Sequence, residues 1–208
     1  MIDMQEIKLL MAGRAGVYGL LADAFSFPMD YENVYNFLKY LFDLTESVEV
    51  IDADEEILQG FKGLANWYHK IEDEKVEVSW VNGKLSEEFK EVFKNPEGSI
   101  GITFPNTENI SKWYEDNGYT PEYAPGGLNE MFSFLSHMSI ETAKKNTVEE
   151  VSVLAKVQEK FIREQILPYV SSFCEALYEV APSYGIYQYI AIIIHGFVML
   201  DLPTLSYF

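Results

Sequence analysis

The segment from Tyr187 to Leu200 constrains the fold most, because Gln188 and His195 are its only strongly polar side chains. A helix that is apolar on almost every side must be covered on most of its surface. The run holds about 14 residues and, at about 1.5 Å per residue, is too short to cross a bilayer. We therefore expect a buried central helix and no stable membrane insertion.

Helical spacing also recurs in the rest of the chain. Apolar residues repeat at intervals of three and four between Ile7 and Phe27, and Asp52 with Glu55 forms a capping-box pattern. A further helix opens near Thr107, and Gly118 stands where a glycine usually ends one. These patterns predict an all-α fold of about eight or nine helices. We expect one globular domain over residues 1–208, with a loop-rich hinge region at 94–127.

Two stretches have less regular patterns. The charged segment from Glu72 to Lys84 contains Asn82-Gly83 and favours an exposed turn, with a short hairpin through Val76, Val78 and Trp80 as an alternative. Pro168 follows a long helix that begins near Val148, and it should kink that helix or restart it.

The charge balance restricts the class of partner. The 208 residues include 33 Asp and Glu against 15 Lys and Arg, which gives a formal net charge of −18. Such a surface repels phosphate backbones, so a nucleic acid is not an expected partner. A basic peptide or protein surface suits it electrostatically. The alternative is that the acidity only keeps the protein soluble.

Patterns typical of enzymes are missing from the sequence. The three histidines, His69, His137 and His195, form neither a Glu-x-x-His pair nor an H-E-x-x-H helix. His195 in its apolar helix favours a core histidine, and Cys174 favours a small core residue. The glycine pairs do not belong to phosphate-binding loops. We therefore expect no cofactor, no metal and no catalysis, and the absence of a signal-peptide pattern favours a cytoplasmic protein.

Several segments in chain order resemble the TorD/DmsD/NarJ family of chaperones for redox-enzyme maturation. The opening contains Arg14, Tyr18, Leu21, Ala22, Phe25 and Pro28; the middle contains Gly118–Pro121, Pro125–Leu128 and Phe134-Leu135; the end contains Phe161–Tyr169, Phe173, Tyr184, Tyr187, Ala191, Phe197 and Asp201. The chain resembles a divergent member, because Gly126-Gly127 stands where the family has Asp-His. Gln165 and Tyr169 likewise replace the family's His and Trp.

The resemblance implies a TorD-like helical fold and a chaperone function. Members of this family bind the N-terminal region, often a twin-arginine leader, of a molybdenum-cofactor oxidoreductase subunit. They hold that apo subunit for cofactor insertion before export or assembly. For this chain the implied partners are such a leader peptide and the apo form of a molybdopterin oxidoreductase subunit, with the chaperone as a monomer or dimer.

We expect the peptide site beside the loops Asn95–Pro105 and Tyr119–Leu128, because binding residues tend to lie on loops and the family's signature region maps onto the second loop. There Glu108, Glu122 and Glu130 are expected to face the arginines, and Gly126 and Gly127 to let the peptide approach the backbone. Alternatively, the aromatic residues only pack the two halves together and the glycines only form a turn. The predicted peptide-binding residues are Phe89, Phe93, Phe104, Glu108, Trp113, Pro121, Glu122, Tyr123, Pro125, Gly126, Gly127, Leu128 and Glu130.

Two other functions remain open from the sequence. One is a regulatory protein whose groove binds a partner helix. The other is a helical enzyme or cofactor carrier, which would carry a bound chromophore, metal or nucleotide.

Overall fold

The computed structural model describes residues 3–26, 31–47, 55–93, 109–183 and 185–208, and within these ranges there is no β-strand. The predicted all-α fold is confirmed. The helices are α1 (Met4–Phe25), α2 (Tyr31–Ser47), α3 (Glu55–Asp73), α4 (Val78–Phe93), α5 (Ile110–Asp116), α6 (Leu128–Ala143), α7 (Val148–Phe161), α8 (Leu167–Val180) and α9 (Tyr187–Ser206), with a π-helical turn at Ile162–Ile166.

The exposed turn predicted at Asn82-Gly83 and the hairpin considered for residues 76–80 are both wrong, because Val78–Phe93 forms helix α4. Val81, Leu85, Phe89 and Val92 are all buried, at intervals of four, four and three residues. That helical period extends over the whole of α4, whereas the alternation at 76–80 covers only three apolar residues. Gly83 is on the exposed side, where the helix tolerates it at a modest cost in stability.

The π-helical turn lies directly before Pro168. The backbone N–H of Leu167 donates to the carbonyl of Ile162, five residues earlier. Proline clashes with the carbonyl four residues before it and lacks an N–H, so a wider turn here lets the chain remain helical. The kink or restart predicted at Pro168 thus takes the form of a π-helical turn, after which α8 begins at Leu167.

Helix α9 confirms the predicted helix at Tyr187–Leu200 and extends it to Ser206. Its 20 residues are long and apolar enough to cross a membrane by length and composition, so the argument that the run is too short is wrong. Half of its apolar window is buried within the protein, and Ile190, Ile193 and Ile194 are almost completely inaccessible. Such burial is what the core helix of a globular protein shows.

The chain divides into two compact units. One comprises residues 1–22, 103–169 and 198–208, and the other residues 23–102 and 170–197. We call them the first and the second unit.

The core of the first unit contains a buried charged cluster. The guanidinium of Arg14 donates to both carboxylate oxygens of Asp201, at 2.5 Å from Nε and 2.8 Å from Nη2. Its Nη1 donates to Gln158 at 2.7 Å, and the Tyr18 hydroxyl donates to Asp201 at 2.6 Å. Arg14 and Asp201 are each 3% exposed, and buried ions need such complete pairing. Arg14, Tyr18 and Asp201, which contribute to the family resemblance, thus have a structural role.

In the second unit, α3 and α9 pack closely and antiparallel. A Cβ atom at Gly60 would lie 2.5 Å from Cγ1 of Ile193, and one at Gly63 would overlap the ring of Tyr189. Because glycine has no Cβ, the two backbones approach closely at these positions. Glu56, which precedes Gly60 on α3, contacts His195, which follows Ile193 on α9. The two helices therefore run in opposite directions.

The N-terminus of α9 is capped by Glu88 from α4. The two oxygens of Glu88 accept hydrogen bonds from the backbone N–H groups of Ile186 and Tyr187, each at 3.0 Å. A carboxylate is favourable there because the first N–H groups of a helix have no partner within the helix. Gly185 makes this approach possible, since its Cβ would lie within 2 Å of the carboxylate.

We expect the free energy of unfolding to fall as the pH rises from about 4.5 to about 7. Burial raises the pKa of Glu88 to about 7, against the effect of its two backbone hydrogen bonds, and burial also raises the pKa of Asp23 to about 7. A carboxyl group whose pKa is raised in the folded state stabilises the fold at pH values below its pKa in the unfolded chain. This stabilisation is lost as the pH rises through its pKa in the folded state. For Glu88 the change is roughly 3 kcal/mol at most.

Denaturant unfolding of the parent and of Glu88→Gln at several pH values measures this effect. The free energy of unfolding should change less with pH in Glu88→Gln than in the parent. It should change as in the parent in Glu115→Gln, which removes an exposed carboxylate from α5. A stability that rises over this pH range in the parent would contradict the assignment.

Candidate functional site

One cavity formed by described residues suits a positively charged partner: a groove of about 370 Å³ in the second unit. We call it the acidic groove; it is lined by Glu56 of α3, by Ser171, Cys174, Glu175, Tyr178 and Glu179 of α8, and by Ala191, Ile192 and His195 of α9. The α8 residues follow one another at intervals of three, one, three and one, so they lie on one face of that helix. Three carboxylates thus surround a partly apolar surface.

Glu175 and Glu179 are four residues apart on α8, and both are exposed. Like charges at this spacing destabilise a helix by about 0.2–0.5 kcal/mol. Among the ion pairs of the described residues, none gives either carboxylate a Lys or Arg partner. A cation bound in the groove would relieve this repulsion, so the arrangement favours a positively charged ligand.

Glu56 has a histidine partner across the groove. Its Oε1 lies 3.1 Å from Nδ1 of His195, and both side chains are partly exposed. Because a carboxylate accepts hydrogen bonds, Nδ1 is the donor in this contact. The prediction that His195 is a core residue is wrong, since its imidazole lines the groove.

Cys174 lies at the same groove but is not poised as a nucleophile. Burial raises the pKa of its thiol to about 12, and the charges of Glu56 and Glu175 add to this rise. A nucleophilic cysteine needs a lowered pKa, usually from a neighbouring cation. In the described part of the chain, no group of three or more His, Cys, Asp or Glu is placed to hold a metal ion.

The structure divides the predicted peptide-binding residues between the two units. Phe89 and Phe93 belong to the second unit, where both are buried and pack edge-to-face with Tyr187 at centroid distances of 6.3 and 5.1 Å. They are therefore core residues within the second unit and do not line a surface site. Phe104 and Glu108 lie outside the described residues.

Glu130 is not a rim carboxylate, so that part of the prediction is wrong. It is only 2% exposed and accepts hydrogen bonds from the Tyr119 hydroxyl and from the backbone N–H groups of Glu122 and Tyr123. These bonds hold the loop before α6 in place, as a buried carboxylate needs several donors. Glu130 therefore stabilises the loop at residues 119–127 and is not available at its surface.

The glycine pair of this loop is also buried. A Cβ on Gly127 would lie 2.5 Å from Oδ1 of Asn129, and Gly127 precedes α6 in an extended conformation. Gly126 and Gly127 therefore form the turn into α6, the alternative considered for them, and Leu128 is the buried first residue of that helix.

Other residues of the predicted loop do reach the surface. Tyr123 is 52% exposed, Glu122 is exposed, and Trp113, Pro121 and Pro125 are partly exposed. Pro121 borders a cavity of about 360 Å³ in the first unit, whose one carboxylate is Glu115. Gly118, at φ +68°, ends α5 as predicted.

A further cavity of about 240 Å³ lies at the other end of α3. Its walls include Trp67 and Trp80, with Lys70, Lys84, Glu74 and Glu88 around them. Two cations here offset two carboxylates, so this cavity suits a basic ligand less well than the acidic groove does.

The sequence-based site omitted Glu56, Glu175 and Glu179. The detectable signal was the pair of glutamates four residues apart on the otherwise uncharged α8. Glu56 gave no such signal, because acidic residues are common in the first turn of a helix, and its place in the groove depends on how α3 packs against α9.

Comparisons with protein-family models, with curated proteins and with solved structures gave no match.

Proposed function

We propose that this chain binds a basic, partly apolar peptide segment in the acidic groove. The observation that carries the proposal is the combination of Glu56, Glu175 and Glu179 with the apolar surface of Ala191 and Ile192 in one cavity. A peptide with adjacent arginines followed by apolar residues complements both features, since cations meet carboxylates and the apolar side chains leave water.

Within this proposal, the segment is the leader of a molybdopterin oxidoreductase subunit, and the chain is its cytoplasmic maturation chaperone. The resemblance to the TorD/DmsD/NarJ family supports this client, and the net charge of −18 agrees with a basic partner. In this proposal the acidic groove has the role first expected of the loops Asn95–Pro105 and Tyr119–Leu128, because Gly126, Gly127 and, in the adjacent helix α6, Glu130 are buried. The protein would hold the apo subunit until its cofactor is inserted and would catalyse no reaction itself.

The test is the binding of a labelled leader peptide with paired arginines. We expect Glu175→Gln/Glu179→Gln to weaken binding by roughly ten-fold, because two partly exposed ion pairs contribute about 0–1 kcal/mol each. Added salt should weaken binding to the parent more than binding to this variant, since fewer charges remain to be screened. Fluorescence anisotropy at low and high salt measures both effects.

The matched control is Glu115→Gln/Glu149→Gln, which removes the same charge from exposed positions in the first unit. It should bind like the parent, and a peptide with glutamine in place of both arginines should bind weakly to all three proteins. Equal weakening in both double variants would show attraction by net charge alone and would contradict a groove site. An absence of binding to the parent would refute the proposal.

A further inference from the structure

The cavity at the far end of α3 from the acidic groove is aromatic, and the two cavities share no residue. Two of the three tryptophans of the chain line it, Trp67 from α3 and Trp80 from α4. Trp80 is 46% exposed, so an aromatic ligand would cover apolar surface that is now in water and add ring contacts. The volume of about 240 Å³ is below the roughly 300–1,000 Å³ of pockets for drug-sized molecules. The cavity therefore suits one small aromatic molecule.

Two of the four charged side chains around this cavity already have partners. The Lys84 ammonium lies 2.7 Å from a carboxylate oxygen of Glu87 and 5.8 Å from the centroid of the Trp80 ring. The Glu88 carboxylate caps α9, where both of its oxygens accept backbone hydrogen bonds. Their charges are therefore largely compensated before any ligand binds.

The other two charges, Lys70 and Glu74, are one helical turn apart at the end of α3. The backbone N–H of Glu74 donates to the carbonyl of Lys70 at 3.2 Å, which fixes this spacing. Both side chains are exposed, and among the described residues neither forms an ion pair, with the other or elsewhere. One positive and one negative charge thus lie beside two indole rings.

We propose that this cavity binds a free aromatic α-amino acid. The carboxylate of the ligand pairs with Lys70, its ammonium pairs with Glu74, and its ring contacts Trp67 and Trp80. An α-amino acid carries both charged groups on one carbon and its ring one methylene group away, so all three partners are met within a small volume. This site is independent of the peptide binding proposed for the acidic groove, because it uses other residues.

The test is fluorine NMR of the full chain with fluorotryptophan in place of tryptophan, titrated with L-phenylalanine. Single Trp→Phe variants assign the three resonances, and Trp113, which packs against Phe161 in the first unit, is the internal control. We expect the resonances of Trp67 and Trp80 to shift with a dissociation constant of about 1 mM or lower, and that of Trp113 to stay in place. L-alanine, which lacks the ring, should move none of them.

Two analogues and two variants separate the charges. Phenylpropionate lacks the ammonium and phenethylamine lacks the carboxylate, so each should bind about two- to five-fold more weakly than phenylalanine. Lys70→Gln should weaken phenylalanine and phenylpropionate by a similar factor and leave phenethylamine nearly unchanged. Glu74→Gln should weaken phenylalanine and phenethylamine and leave phenylpropionate nearly unchanged.

The matched control is Lys62→Gln, which removes an exposed lysine of α3 that does not line the cavity. It should bind all three ligands like the parent. Trp80→Leu keeps an apolar side chain but removes the ring, and it should weaken phenylalanine binding by about five-fold or more.

Three results would overturn the proposal. One is a parent in which L-phenylalanine at about 10 mM moves neither Trp67 nor Trp80. Another is an equal shift of all three tryptophan resonances, which indicates unspecific association of the ligand with aromatic surface. The third is a pair of variants, Lys70→Gln and Glu74→Gln, that both bind all three ligands as tightly as the parent does.

Discussion

Replacement of Asp201 by alanine is expected to lower the free energy of unfolding by about 3 to 5 kcal/mol. The change leaves the Arg14 guanidinium buried without the carboxylate that accepts two of its hydrogen bonds. It also removes the acceptor of the Tyr18 hydroxyl. Gln158 and Ser139 still accept from Nη1, but neither carries a compensating charge. Equilibrium unfolding in urea measures the loss.

Two further variants separate the buried charge from the volume lost. Lys144→Ala breaks the exposed pair with Glu141 and should cost at most about 0.5 kcal/mol. The double variant Arg14→Met/Asp201→Leu removes both charges and should recover part of the stability lost in Asp201→Ala, because no ion then remains unpaired. A loss below about 1 kcal/mol in Asp201→Ala would mean that Arg14 reaches water.

The helices were predictable from the sequence because their signals are local. The capping box of α7 shows this clearly: Thr147 accepts from the backbone N–H of Glu150, and the Glu150 carboxylate accepts from that of Thr147. Gly118 ends α5 for a similarly local reason, its positive φ. Such features depend on residues within one turn of the chain, so the sequence alone shows them.

The candidate site was less predictable, because it depends on contacts between residues far apart in the sequence. Glu56 and His195 are 139 residues apart, and they meet only because α3 and α9 pack antiparallel through Gly60 and Gly63. Glu130 was predicted to lie at the surface but is buried. Its exposure was inferred from its place near a loop, yet the loop folds over it and donates two backbone hydrogen bonds.

The acidic groove and the antiparallel packing of α3 against α9 are physically linked. Glycine at positions 60 and 63 brings α3 close to α9, and this approach places Glu56 within hydrogen-bond distance of His195. A variant that separates the two helices should therefore reduce both stability and peptide binding. Helix α9 is the element whose packing can be tested most directly.

Ile193→Asp should lower the free energy of unfolding by about 4 kcal/mol or more. Ile193 is fully buried on α9, and its Cγ1 fills the space left by the absent side chain of Gly60. A carboxylate at this position loses its hydration, and a protonated aspartate still lacks the apolar contacts of isoleucine. Thermal and urea unfolding of the purified variant measure the effect.

Ile193→Val is the matched control, because it removes one methylene group and introduces no polar atom. It should cost about 0.5 to 1.5 kcal/mol. The equivalent change at an exposed position of the same helix, Met199→Asp, should cost far less, since that side chain is half exposed. If Ile193→Asp melts within about one degree of the parent, α9 is not a core helix. The acidic groove, which depends on the packing of α9 against α3 and α8, would then lose its structural basis.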